Sequence, residues 1–559
     1  MKKKLLYIAL LIFPGIFVSC EDFLTVEPEE YVPIENSFKS ADDAIVSIYG
    51  LYGLMQPLVD QLFLVGEAQG ELAEAGRGAD RFIAEFAQNR VTPQNPYTDY
   101  TGFYKLIVAC NNTLEGLKKI LLNDPVNYTQ GKYEYNVAEV KYIRIWAYFQ
   151  LVRIWKDVPF VDYSITSIKQ IRELDTMNDM EIMNRIIREA EDNFSGMQSL
   201  QMPVGSSATD VVTTRSQFTA QSARFLLTDM YLYIEDYVKA WDLIRPILPF
   251  GEPNFEQIQG IASSIGNSGY RWYDWVLSGQ DKTKMFAEWC MYVDFDGSKG
   301  QKNNLQRWTN NKDGGIYALK PTKYIVDLYE TTPTMLLQYQ INEYYFDPRA
   351  TQLNYVCDEN GVPVSGPVGD KYRGSGVAYM EQGKDTVIFK YMLKEWNVAR
   401  SLAQNDPNSN DDALFPLYRT GHMLLKVSEI LNNMGMPELA LYYLNGGDAG
   451  AHVQSTRMRV KCYPFQLEEG KDPVEQVNRF ILEEMALECS FEGVRWFDLV
   501  RFARRTGYES WLGEYVAKKY PEDKRGAIRA KLQNQYSWYL PYYQKNVDSS
   551  SKLQQKAGY

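Results

Sequence analysis

The chain has 559 residues, of which 45% are apolar and 23% charged, a mixture that supports a packed core and excludes a disordered or fibrous protein. Lysine and arginine total 59 against 71 acids, a net charge of −12 with no basic block to offset it. Phosphate backbones demand clustered positive charge, so nucleic acid is excluded as a partner. With two histidines, His422 and His452, a histidine-based metal site or triad has little material, while 41 tyrosines supply rings with a polar tip that suit wet surfaces as well as cores.

Lys2, Lys3 and Lys4 precede an apolar run from Leu5 to Val18. At about 1.5 Å per residue that run falls short of the ~30 Å bilayer core, so residues 1–19 read as a signal peptide. The run ends in Phe17-Val18-Ser19-Cys20, a small residue directly before a cysteine, which resembles a bacterial lipobox with Cys20 as the acylated mature N-terminus. Glu21 and Asp22 resemble the acidic signals that send some lipoproteins to the cell surface. Cys110, Cys290, Cys357, Cys462 and Cys489 are scattered, fit no zinc pattern, and read mostly as small buried hydrophobes.

Helices follow, many in pairs. Ser40-Ala41-Asp42-Asp43 resembles a capping box ahead of a helix whose apolar face carries Ala44, Ile45, Ile48, Tyr49, Tyr52 and Met55. Thr98 to Leu122 and Glu134 to Trp155 keep a 3.6-residue period, the second stopped by Asp157-Val158-Pro159. Further helices are predicted over 178–200, 215–234, 236–248, 417–434, 437–445, 473–490 and 494–505. Two pairs superpose: Tyr231 precedes Ala240 and Ile244 as Leu431 precedes Ala440 and Leu444, the small-then-bulky spacing of tetratricopeptide-type hairpins. The predicted body, residues 20–559, is therefore all-α, a tetratricopeptide-like scaffold with insertions at about 250–320 and 345–415. Hairpin signals lie around Asn360-Gly361 and Gly383. Trp146, Trp155, Trp241, Trp289 and Trp496 read as core. Asp294-Phe295-Asp296-Gly297 hints at calcium, but its glycine falls fourth where an EF-hand places it sixth, so no metal and no cofactor is predicted.

Near the C-terminus, Glu488-Cys489-Ser490-Phe491-Glu492-Gly493-Val494-Arg495-Trp496-Phe497-Asp498-Leu499-Val500-Arg501 gathers acids and arginines about one glycine. Gly493 can break a helix, and Arg495 and Arg501 are then expected to pair with Glu488, Glu492 and Asp498 across the corner. Glu484 and Glu488 could also be the two acids of a glycosidase. The density of adjacent arginines favours an ionic latch.

This segment resembles the C-terminal signature of the SusD/RagB family of surface nutrient-binding lipoproteins. Cys20-Glu21-Asp22-Phe23-Leu24 with Pro28, Tyr104 to Asn111, Arg144 to Val152 with Val158-Pro159, Asp347-Pro348-Arg349 and Tyr418-Arg419 with Glu429 are further resemblances, in the order the family requires. Met485 departs from the pattern where the family has arginine, and Trp146 precedes the expected alanine. The resemblance implies a binding protein and no enzyme, lipid-anchored and exposed on the outer membrane, where it captures oligosaccharides and hands them to a TonB-dependent transporter of the SusC class. A peptide-binding relative is the alternative, and a lipid-anchored glycosidase a distant one.

Sugar rings pack their C–H faces on aromatic rings while amides, acids and arginines orient the hydroxyls. Arg271-Trp272-Tyr273-Asp274-Trp275 and Asn303-Asn304 with Arg307-Trp308-Thr309-Asn310 place rings among such groups. Trp272, Tyr273, Trp275, Asn303, Arg307, Trp308 and Asn310 are thus candidate ligand contacts. The resemblance adds Glu71, Arg77, Asp80, Tyr97 and Tyr100, which follow the first helix.

Overall fold

A computed structural model describes residues 38–165, 170, 173–198, 215–248, 289–312, 314–333, 369–370, 373–391, 411–446, 455–460 and 462–559. Cys20, Trp272, Tyr273, Trp275, Cys357 and the hairpin expected at Asn360-Gly361 lie outside the described residues. So does the short Asp347-Pro348-Arg349 match.

Helix α1 (Ala41–Met55) opens with the expected box, the Asp43 carboxylate accepting the Ser40 N–H at 2.9 Å. Ala44, Ile48, Leu51 and Met55 are its buried face, and Tyr49 turns outward. α2 (Val59–Phe63) runs into a π turn, Leu64–Ala68, and a short strand β1 (Ala73–Ala75). After α3 (Arg81–Ala87) come two long helices, α4 (Thr101–Asn123) and α5 (Gln130–Trp155). α4 packs antiparallel to α1: the Asp124 carboxylate at its end accepts the Ala41 N–H, and Gly102 at its start meets Leu58.

The polar residues behind the family resemblance in α4 and α5 hold the chain that follows. Tyr104 donates to the carbonyl of Pro159, Asn111 to that of Tyr163, and Tyr148 to that of Val161. Arg144 in turn donates to Asn111 and Glu189. These groups clasp the short ladder of β2 (Val158–Pro159) and β3 (Thr176–Met177) and the next helix, α6 (Asp179–Gln198).

The two superposable hairpins form as expected. α7 (Ala220–Tyr233) pairs with α8 (Tyr237–Ile244), while α11 (Thr420–Asn433) pairs with α12 (Pro437–Asn445). Their corners share one hydrogen-bond set. Asp236 N–H donates to Tyr231 O at 2.9 Å and Met436 N–H to Leu431 O at 3.1 Å, each behind a residue at positive φ, Glu235 and Gly435. Ala240 and Ala440 are fully buried, which lets each second helix close on its first.

Between the hairpins lie β4 (Trp289–Val293), α9 (Leu305–Thr309), β5 (Leu319–Pro321), α10 (Lys323–Thr331), β6 (Tyr379–Gln382), β7 (Asp385–Ile388) and β8 (Phe415–Arg419). The sequence predicted a loop insertion to residue 320 and a helix from 417. Instead, Leu305, Trp308, Ala318 and Leu319 join the main core, and residues 415–419 form a strand antiparallel to β4. The β6–β7 hairpin is the one the sequence placed around Gly383, whose φ is +68°. α13 (Thr456–Arg459), α14 (Pro473–Cys489), α15 (Arg495–Ala503), α16 (Trp511–Val516), α17 (Glu522–Leu532) and α18 (Gln544–Asp548) complete the chain. The fold is mostly helical with a few short strands. Cys110, Cys290, Cys462 and Cys489 are buried, and Trp146, Trp155, Trp289 and Trp496 are buried as expected.

One buried acid makes stability depend on pH. Burial pushes Glu139 up to about 8, against the hydrogen bond from the Tyr52 hydroxyl at 2.7 Å that favours its ionised form. Its folded pKa exceeds the unfolded one, so the native state binds the extra proton, and stability falls as pH rises from about 4.5 towards 8. Glu139→Gln should remove that component. Its melting-point advantage over the wild type is expected to widen between pH 5 and pH 8.5, since one pKa unit is worth about 1.4 kcal/mol. A constant gap across that range would show that Glu139 does not titrate there.

Candidate functional site

Two constellations concentrate charge. The first is the corner between α14 and α15. Phe491 and Gly493 take left-handed backbone, at φ +63° and +73°, and the Glu67 carboxylate accepts their N–H groups at 2.8 and 3.1 Å. The π turn carrying Glu67 lies flat on the corner. A Cβ at Gly66 would stand 1.7 Å from the carbonyl oxygen of Gly493.

The ion pairs differ from those the sequence suggested. Arg495 pairs with Glu71 (Nε 2.9 Å) and donates to the carbonyl of Leu482. Glu488 and Glu492 instead take Arg419, with Arg373 reaching Glu488 and Lys390 reaching Glu492. Arg501 does meet Asp498 at 2.8 Å, and also Glu429. Glu71, expected at a ligand, is therefore an interior counter-ion. Glu484 and Glu488 are fully buried and bound by arginines. Burial works to raise the Glu484 carboxyl, but Arg373 and Arg457 outweigh it and hold it below the usual range. An acid so held is no proton donor to a leaving group, and neither acid faces a cleft. The corner is a latch.

The second constellation faces solvent. β1 pairs antiparallel with β5, Ala73 opposite Pro321 and Ala75 opposite Leu319, and the β6–β7 hairpin packs beside β5. Gly76 donates to the carbonyl of Ala318 and Gly78 to that of Tyr317, and a Cβ at Gly78 would meet Ile316 O at 1.6 Å. Here glycine is required because two backbones touch. Their junction floors a groove of about 720 Å³, bordered by Glu74, Arg77, Tyr317, Lys320, Lys384 and Asp385. That size suits a small ligand or a few sugar units.

Arg77 spans the groove's wall. Its Nη1 lies 2.5 Å from Asp385 Oδ2, and its guanidinium carbon 4.8 Å above the centroid of the Tyr317 ring. Asn311 also donates to Asp385 Oδ2, at 2.8 Å. The hydrogen bonds from Arg77 and then Asn311 hold the Asp385 carboxyl below its ordinary value. Burial pushes the Tyr317 hydroxyl up to about 12. Across the groove Lys320 pairs with Glu74 at 2.9 Å.

Of the predicted ligand residues, Arg77 lies in the groove and several others support it. Tyr97 is half-buried, edge-on to Phe86 and Trp308 with centroids 6.3 and 6.0 Å away. Trp308, expected as an exposed platform, is only 3% exposed: its ring belongs to the core and its carbonyl accepts the Ala318 N–H. Asn310 is buried, its carbonyl accepting the Tyr317 N–H. Arg307 is exposed, and its carbonyl accepts the Ile316 N–H. The other three are structural. Asp80 caps α3 by accepting the Ile83 N–H, Asn303 is buried and donates to Ala413 O, and Tyr100 packs on Tyr104 and Trp155. Tyr317 and Asp385 were not singled out in the sequence. The turn at Gly383 did mark the hairpin that presents Asp385.

Comparison with known proteins agrees with this architecture. A model of the SusD family matches residues 289–559. SusD-like protein P38 of Formosa agariphila is 23% identical over 98% of this chain and 98% of its own, and SusD-like protein P2 of the same organism is 23% identical over 89% and 90%. Among solved structures, a SusD superfamily protein from Bacteroides vulgatus superposes with a TM-score of 0.62 at 16% identity, covering 94% of this chain and all of its own. A laminarin binding SusD-like protein gives a TM-score of 0.60 at 18% identity (93% and 100% covered). Surface glycan-binding protein A from Bacteroides uniformis gives 0.60 at 16% (92% and 99% covered). With the helical-hairpin scaffold and the arginine-latched corner in place, these matches support the SusD/RagB family for this chain.

Proposed function

We propose that this chain is a surface-exposed outer-membrane lipoprotein that binds an oligosaccharide or polysaccharide and delivers it to a partner TonB-dependent transporter of the SusC class. The observation that carries the reading is the groove between β1, β5 and the β6–β7 hairpin, whose border combines the Tyr317 ring with acceptors, Glu74 and Asp385, and donors, Lys320 and Lys384. Sugars are recognised by that combination. Two proteins of the same fold are named for laminarin and surface-glycan binding, which supports a glycan as the ligand class here. Binding without catalysis is favoured because the one acid pair that suggested hydrolysis, Glu484 and Glu488, is consumed in buried ion pairs. For the membrane attachment, the support is the lipobox at Cys20. Among the described residues no helix is long and apolar enough to cross a membrane.

Native gel electrophoresis through gels cast with laminarin, starch, xylan or pectin tests the binding reading. Retardation by at least one of them is expected, and migration unchanged in all would overturn it. In fractionated cells Cys20→Ala should leave the outer membrane for the soluble fraction. Retention there would remove the lipid anchor from the proposal.

A further inference from the structure

We propose that Tyr317 is a stacking ring for sugar and that Arg77 lies over it as a displaceable cover, tethered by Asp385. The inference rests on the groove's being a glycan site and adds which ring the glycan meets and what must move first.

Tyr317 borders a groove of about 720 Å³ yet is only 5% exposed. Part of what hides it is fixed. Its ring lies against the backbone at Gly76, where an added Cβ would stand 3.2 Å from the ring, and its hydroxyl donates to Thr386 O at 2.9 Å. The guanidinium of Arg77 is a different kind of cover. It is carried on a long side chain that is 55% exposed, and it is held by the ring and by one carboxylate. It can swing into water without moving any backbone, and an ion pair this exposed resists weakly.

Asp385 remains in place when Arg77 leaves, because Asn311 holds the same oxygen and the hairpin ladder fixes the backbone, Asp385 opposite Gln382. Opening therefore yields an aromatic face beside a freed carboxylate, the pair that a sugar's C–H face and hydroxyls require. Behind Asp385, Asn311 Oδ1 and Gln382 Oε1 are buried acceptors with no partner among the described residues. A buried acceptor left unmet is costly, and a bridging water would meet it. Tyr317 itself is held at φ +53°, a conformation a bulky residue adopts only under constraint. The hydrogen bonds from Gly78 N–H to its carbonyl and from its N–H to Asn310 O impose it. Strain of this kind is kept where the aim of a side chain matters.

Hydroxyl-radical footprinting read by mass spectrometry at Tyr317, on the ligand-free protein, tests the cover. Oxidation of Tyr317 should rise several-fold in Arg77→Ala and in Asp385→Ala, with melting points close to wild type. Unchanged oxidation in both variants would overturn the proposal. The polysaccharide that retards the wild type in gels then tests the stacking: Arg77→Ala should bind it several-fold tighter, since nothing has to be displaced. Tyr317→Asn, which tolerates the same backbone, should bind about ten-fold more weakly or worse. Weaker binding by Arg77→Ala would make Arg77 a direct contact and sink the cover. If no polysaccharide is retained by the wild type, the glycan reading fails instead, and the footprint still reports whether Arg77 shields the ring.

Discussion

Gly66→Ala is expected to be among the most damaging single substitutions in this chain, costing more than about 4 kcal/mol and leaving little soluble protein. The reason is steric and local. A Cβ at Gly66 would stand 1.7 Å from the Gly493 carbonyl oxygen and 2.4 Å from its carbon, and both are backbone atoms that no rotamer change can move. The two segments cannot drift apart, because Glu67 on the same turn accepts the N–H groups of both Phe491 and Gly493. Parting them would leave a buried carboxyl group and two buried donors without partners. Gly493→Ala is the internal comparison. It forces a side chain into left-handed backbone, roughly 1–2 kcal/mol, and its Cβ meets the tip of the Phe415 ring at 2.9 Å, which can tilt. Urea midpoints of the two variants should therefore order as Gly66→Ala below Gly493→Ala below wild type. If Gly66→Ala unfolds at the wild-type midpoint, the turn and the corner are not in the contact described.

That contact also marks where sequence reasoning reaches its limit. Gly493 is legible because it interrupts a strong helical pattern, and the helices on either side begin and end within a residue or two of expectation. Gly66 and Glu67 carry no local signal, since their importance lies in a partner more than 420 residues away. Arg419 belongs to a motif that is legible in the sequence, but its strand is not. A helical period invited a helix from 417, but Phe415–Arg419 pairs instead with β4, and that strand–strand ladder overrides local propensity. The repeated hairpins are legible for the opposite reason. Tyr231 with Ala240 and Leu431 with Ala440 are contacts between neighbours in sequence, so spacing alone encodes them. The groove belongs to the illegible class: Arg77, Tyr317 and Asp385 come from three distant segments, and only Arg77 lies where the family resemblance directed attention. Trp308 shows the complementary error. Polar neighbours suggested an exposed ring, yet Asn303 and Asn310 turn their amides to the carbonyls of Ala413 and Lys312, and the tryptophan between them is core.

Arg373→Ala should cost about 3–5 kcal/mol while leaving glycan affinity of the folded fraction intact. Arg373 is fully buried and donates to Asp370 at 2.6 Å, to Glu484 at 2.6 Å and to Glu488 at 3.2 Å. The three acids differ in what they retain without it. Glu484 keeps Arg457 and the Thr456 hydroxyl, and Glu488 keeps Arg419. Asp370 loses its bridging cation, and burial already outweighs Arg373 enough to hold its carboxyl above the ordinary value. In the variant Asp370 is therefore expected to take up a proton. A raised native pKa binds the proton preferentially, so the variant should be damaged least below the unfolded carboxylate range and progressively more as pH rises through the new value. Adding Asp370→Asn to Arg373→Ala should recover part of the loss, because a neutral amide replaces the stranded charge, and the pair should cost less than the sum of its parts. Thermal melts of the four proteins at pH 5 and pH 7.5 decide it. A pH-independent deficit with no rescue by Asp370→Asn would mean that Arg373 acts by packing alone. Full stability with lost glycan binding would move the whole buried network from scaffold to ligand site.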